Sequence, residues 1–158
     1  MFKMGESVDF LAYLDEKLKL PEADLREYSP LVLAYIGDDI FDLVIRTILV
    51  RQHNCQVQKL HKKASMLVKA SAQAAMIERI MPLLTEEELA IYRRGHNAKP
   101  HTKAKNATHS DYHKATGLEA LMGYLYLKKD MTRIVDLMQV GLQTEKGGPE
   151  NCPDNGAD

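Results

Sequence analysis

Residues 31–46, LVLAYIGDDIFDLVIR, repeat apolar side chains at helical spacing, yet Gly37, Asp38, Asp39 and Asp42 stand inside the run. Glycine within a helix costs about 1 kcal/mol relative to alanine. A carboxylate withdrawn from water costs several times more unless something compensates it. A buried helix that carries both is under a constraint other than stability. On a helical wheel, Tyr35, Asp38, Asp39, Asp42 and Arg46 share one stripe, with Leu33, Ile36, Ile40, Leu43, Val44 and Thr47 opposite. One reading is an amphipathic helix with its acids in water. The other is a site: Leu31, Ala34, Ile45 and Leu49 border the stripe beside Asp38, which makes Asp38 the aspartate expected to be partly buried. Gly37 next to it would let another segment approach closely.

The rest of the chain is helical in period. Val8–Leu20 stops at Pro21, and Ser29-Pro30 is a start signal for a helix that runs to about Val50. A third helix is expected over Val57–Met81, before Pro82. Thr85 and Glu88 form a capping box for a short helix that ends at Arg93-Arg94, with Gly95 as its C-cap. Residues 96–110 lack periodicity and read as a long loop, the kind that is usually functional or disordered. Ser110 or Asp111 caps a helix to about Leu127, and Met131–Gln143 forms the last one. No segment of useful length has strand period. The expected fold is all-α, with an N-terminal helical segment over 1–27, a main domain over 28–143 and a disordered tail over 144–158.

No stretch reaches the roughly 18 apolar residues of a membrane span, and the first ten residues lack a secretory layout. Cys55 and Cys152 belong to no CxxC pair, so a disulfide framework or zinc ribbon is not expected and a cytoplasmic location is. The formal net charge of −1 conceals a division along the chain. Residues 1–42 have a net charge of −6, residues 43–110 one of +8, and no acid occurs between Leu43 and Ile77. A basic segment in a near-neutral protein points to an anionic partner; a solvated lysine face is the plainer alternative.

A second acid stands out in residues 111–127, DYHKATGLEALMGYLYL. Glu119 shares its stripe with Ala115, Thr116 and Gly123, so the helix either packs closely there or leaves room for a ligand. Two helices that each present a carboxylate beside small residues could hold Mg²⁺, a hard cation that favours carboxylates and water. With basic segments around it, such a site suggests phosphodiester chemistry.

Four segments carry a family resemblance: LAYIGDDIFDL, LHKKASMLVKASAQA, RRGHNAKPHTKAKN and KATGLEALMGYLYL. The first resembles the signature helix of the ribonuclease III domain. Together, in order across residues 28–143, they resemble the bacterial Mini-ribonuclease III family. The resemblance implies an all-helical endonuclease, a homodimer, Mg²⁺ dependence and double-stranded RNA as substrate. Its usual task is maturing the ends of precursor 23S ribosomal RNA, where a ribosomal protein or precursor particle could assist.

Matched residue by residue, Asp38 takes the place of the signature aspartate and Glu119 that of the metal-binding glutamate; these are the expected catalytic and metal residues. Asp42, one turn after Asp38, is a candidate additional ligand, and Asp39 is expected to be structural. Where full-length ribonuclease III has further acids, this chain has Leu31, Ala34 and Thr116, which leaves the number of metal ions open. His96 replaces an expected arginine. Only fifteen residues follow Gln143, too few for a separate RNA-binding domain, so the catalytic domain itself is expected to hold the RNA. The RNA-binding set is Lys62, Lys63, Arg93, Arg94, His96, Asn97, Lys99, Lys103 and Lys105. A-form RNA offers its phosphates and 2′-hydroxyls across a shallow minor groove, so specificity should follow duplex shape.

The implied chemistry is in-line attack of water on phosphorus, leaving a 5′-phosphate and a 3′-hydroxyl. The rim of Leu31, Ala34, Ile45 and Leu49 is expected to form a symmetric dimer contact. Two other classes compete. A non-catalytic duplex-RNA-binding or ribosome-associated protein would need the lysines but not the acids. A histidine-metal hydrolase would draw on His96, His101, His109 and His113, although the chain has neither an HD dipeptide nor HExxH.

Overall fold

The computed structural model describes residues 9–99 and 108–142. Seven α-helices occur among them, and no strand: α1 (Phe10–Leu18), α2 (Pro30–Gln52), α3 (Val57–Val68), α4 (Ala70–Ile80), α5 (Glu86–His96), α6 (His109–Leu127) and α7 (Met131–Gly141). The all-α expectation holds. The starts of α2 and α5 fall where the sequence put them. Ser29 accepts from the Val32 N–H with Pro30 at the first helical position, and the Thr85–Glu88 capping box closes in both directions.

Several boundaries differ, among them the end of the last helix, at Gly141 rather than Gln143. The single helix expected over Val57–Met81 is two, broken at Lys69, whose backbone is extended (ψ 153°). The halves have different partners: α3 packs on α2, whereas α4 packs on α6 and α7. One straight rod could not serve both, so tertiary packing overrides local propensity. Gly95 is not a C-cap. It lies buried inside α5 against Gly117 and Ala120 of α6, and Asn97 closes the helix instead. Thr108, rather than Ser110 or Asp111, caps α6 by accepting from the Asp111 N–H. α1 closes at Lys19, in the left-handed region (φ 50°), short of Leu20.

At the centre is α6, on which α2, α4, α5 and α7 all pack. From Ala115 to Leu125 every residue is buried except Glu119, which is half-buried. A helix apolar all round belongs in a core, so the glutamate is the exception that marks the site. The core completes itself with Phe41 and Ile45 of α2, Ile77 and Ile80 of α4, and Ile134 and Leu137 of α7. Glu88 is 4% exposed and is held by Arg133 of α7 at 2.8 and 3.0 Å, which pins α5 to α7.

The buried face of α2 is rotated from the expected one. It comprises Leu33, Ala34, Gly37, Ile40, Phe41, Ile45 and Leu49, while Leu43 and Thr47 are exposed. The reason is size: Ala34 and Gly37 admit α6, and larger side chains would hold it off. The expected dimer rim is therefore corrected. Ala34, Ile45 and Leu49 belong to the core of the single chain and are unavailable to a second copy. Solvent instead meets Val32, Tyr35, Leu43 and Val50, a stripe of which Tyr35 is 78% exposed. Among the described residues, no helix is long and apolar enough to cross a membrane.

Candidate active site

The crossing of α2 and α6 builds the site. A Cβ added at Gly37 would stand 1.7 Å from the Glu119 carbonyl oxygen, and one added at Gly123 would stand 1.9 Å from that of Leu33. Two glycines, one per helix, thus let the backbones touch. That contact brings Asp38, the residue after Gly37, beside the Glu119 side chain, close enough for the Asp38 charge to act on the glutamate.

Electrostatics mark the pair. Burial pushes Glu119 up to about 7, the Asp38 charge adds to the rise, and Gln73 of α4 opposes it. Asp38 is also raised, by partial desolvation and then by Asp39 and Asp42. It nevertheless stays on the exposed side of α2, and Asp42 is the half-buried aspartate of the three. Among the described residues neither Asp38 nor Glu119 forms an ion pair. Two carboxylates that repel each other, left without a protein cation, are a donor set suited to a hard divalent ion.

Asp42 does not join them in the same way, because its carboxylate pairs with Arg46 at 3.0 Å. No group of three or more His, Cys, Asp or Glu side chains able to hold a metal occurs among the described residues. Asp39 is exposed. Thr116 is buried, and its hydroxyl donates back to the Tyr112 carbonyl at 3.0 Å.

The basic residues spread over separate elements. Lys62 is exposed and Lys63 half-buried on α3. Arg93 is exposed, whereas Arg94 reaches the Tyr28 carbonyl at 3.3 Å. Asn97 and Lys99 are exposed beyond α5; Lys103, Lys105 and His101 lie outside the described residues. His96 takes part in a cluster at the ends of α5 and α6. His113 Nδ1 donates to its carbonyl at 2.7 Å, and His113 Nε2 faces His109 Nε2 at 3.1 Å. A neutral His113 that donates from Nδ1 accepts at Nε2, so His109 is the donor. The His113 ring thus lies edge-on to His109 at 4.2 Å and tilted against His96 at 5.6 Å, and no histidine metal site forms among the described residues.

Sequence reasoning passed over Gln73. It is 2% exposed on the apolar face of α4, beside Ala74, Met76 and Ile77. An amide on a stripe otherwise made of alanine, methionine and isoleucine was the available signal.

Comparisons with known proteins agree with the all-helical fold and give it a family. Residues 31–130 match the ribonuclease III domain family. The chain is 41% identical over 133 residues to Mini-ribonuclease 3 of Clostridium tetani, covering 84% of this chain and 88% of that protein. It is 43% identical over 133 residues to Mini-ribonuclease 3 of a Thermoanaerobacter species, covering 84% and 94%. A crystal structure of a Fusobacterium nucleatum protein superposes with a TM-score of 0.68 at 34% identity, covering 74% of this chain and 93% of that one.

Proposed function

This chain belongs to the ribonuclease III family and is an endoribonuclease, and we propose that it cuts double-stranded RNA with Mg²⁺ held by Asp38 and Glu119. The observation that carries this reading is the convergence of two unneutralised carboxylates across the Gly37–Gly123 crossing. A two-carboxylate set suits Mg²⁺, which keeps several of its waters. Bound there, the ion supplies Lewis-acid polarisation of the phosphate and eases loss of a proton from the attacking water.

The chain's own residues do the rest. Asp38, on the solvent side of α2, is the carboxylate that an incoming phosphodiester meets. Glu119 stands half-buried in the middle of α6, between residues that are buried. It must shed its proton to receive a cation, so ion uptake and proton release are coupled. Asp42, engaged with Arg46, acts by fixing charge at the rim of the site. Lys62, Lys63, Arg93, Arg94, His96, Asn97, Lys99, Lys103 and Lys105 are the residues assigned to the RNA phosphates.

The substrate is the duplex at the ends of precursor 23S ribosomal RNA, on the chain itself or within a precursor particle that includes a ribosomal protein. The working unit is a homodimer, so that one site serves each strand. Its contact is the exposed Val32, Tyr35, Leu43 and Val50 stripe of α2, in place of the buried rim.

Purified protein given a paired RNA and its separate strands, in Mg²⁺ and in EDTA, tests this reading. Cleavage of the duplex alone, in Mg²⁺ alone, with 5′-phosphate ends, is the expected result. Binding without cleavage favours the non-catalytic reading.

A further inference from the structure

Gln73 is the one buried polar side chain of α4, and at 2% exposure its carboxamide is removed from solvent. Its neighbours on that face, Ala74, Met76, Ile77 and Ile80, are apolar. Among the described residues its Nε2 makes no hydrogen bond. An unpaired buried amide costs roughly 1–3 kcal/mol, a cost that natural cores rarely leave standing. The acceptor it faces is the Glu119 carboxylate, across the packing of α4 on α6. The amide is near enough to favour the charged glutamate but stops short of hydrogen-bond geometry. A buried donor left without a partner beside a carboxylate has a use once that carboxylate is held in one orientation.

We propose that Gln73 is a positioning residue for Glu119: Nε2 donates to one carboxylate oxygen and leaves the other turned outward to receive a divalent cation. The inference rests on the metal reading above and adds an outer partner to it. Outer partners of this kind orient a ligand, and removing one typically weakens metal binding by about 10–100-fold. Gln73 touches neither the ion nor the RNA; it acts through Glu119.

The test uses the full chain and Mn²⁺ in place of Mg²⁺, with free and bound ion separated by electron paramagnetic resonance. Gln73→Met keeps the length and much of the volume while removing the donor. The expected result is a loss of Mn²⁺ affinity of about 10–100-fold with a melting temperature, measured in EDTA, no lower than wild type. Equal affinity in the variant and wild type overturns the proposal and leaves the metal reading standing. If wild type takes up no Mn²⁺, the metal reading falls and this proposal with it. Should Gln73→Met fail to fold, Gln73→Leu is judged by the same two readouts. Loss of fold in both makes Gln73 a packing residue and overturns the proposal.

Discussion

Gly37 of α2 lies against the main-chain carbonyl of Glu119, where a Cβ would stand 1.7 Å from the oxygen. The glycine that interrupts the helix and the acid that interrupts the core of α6 are therefore two halves of one contact. The helix gives up about 1 kcal/mol of propensity and gains a backbone crossing that brings Asp38 to Glu119.

The crossing predicts a severe effect of Gly37→Ala. The methyl meets the backbone of α6 at two residues, since the Gly123 nitrogen is also 2.6 Å from it. The helices must separate, and the loss should reach or exceed the upper end of the usual overpacking range, about 3 kcal/mol. Urea denaturation measures it. A variant as stable as wild type would show that the helices are not this close.

Glu119 predicts a pH dependence with a definite sign. Its proton affinity in the fold is raised from 4.5 to about 7, so the native state binds more protons than the unfolded chain between those values. Stability of the metal-free protein therefore falls as pH rises through that window and is level above it. In Glu119→Gln this contribution should vanish. Melting temperatures in EDTA from pH 4.5 to 8 test the difference. A parallel fall in both proteins would assign the effect to other groups.

A third prediction concerns stability away from the site. Glu88 is buried and bound to Arg133, which also donates to the Leu83 carbonyl at 2.7 Å. Burial alone would raise the Glu88 carboxyl, but Arg133 and the Thr85 backbone hold it below its ordinary value. Glu88→Ala removes both the capping box and the partner of Arg133. A loss of about 3 kcal/mol is expected, with Mn²⁺ affinity unchanged. Denaturation and metal titration of the same sample separate the two.

The exposed stripe on α2 predicts that Leu43→Glu abolishes the proposed homodimer contact while keeping the helical content. Sedimentation velocity with circular dichroism reads both. A Leu43→Glu protein that sediments as a dimer would place the contact elsewhere.

Much of this fold could be read from side-chain spacing. Ser29, Pro30, Thr85 and Glu88 announce helix starts through local hydrogen bonds, and local signals survive in the folded chain. The acids Asp38 and Glu119 stood out because each breaks an apolar run. The rest depends on what packs against what. Nothing near Lys69 marks a break, because the break arises from α3 and α4 having different partners. The buried face of α2 turns toward Ala34 and Gly37 because α6 seeks the smallest side chains, a fact about the neighbour. For the same reason Gly95, which has the position of a cap in the sequence, is a contact in the fold. Gln73 shows in the sequence only as an amide on an apolar stripe, since its neighbour Glu119 lies forty-six positions further along the chain.

The most direct test of the account is the rate of duplex RNA cleavage in Mg²⁺ by wild type, Asp38→Asn and Glu119→Gln, each shown to be folded by its melting curve. The account predicts that wild type cuts and that either substitution lowers the rate by at least about 10²-fold, the scale on which a group acting on the transition state is felt. Retention of wild-type rate by either folded variant would contradict the claim that the crossing of α2 and α6 exists to join these two carboxylates.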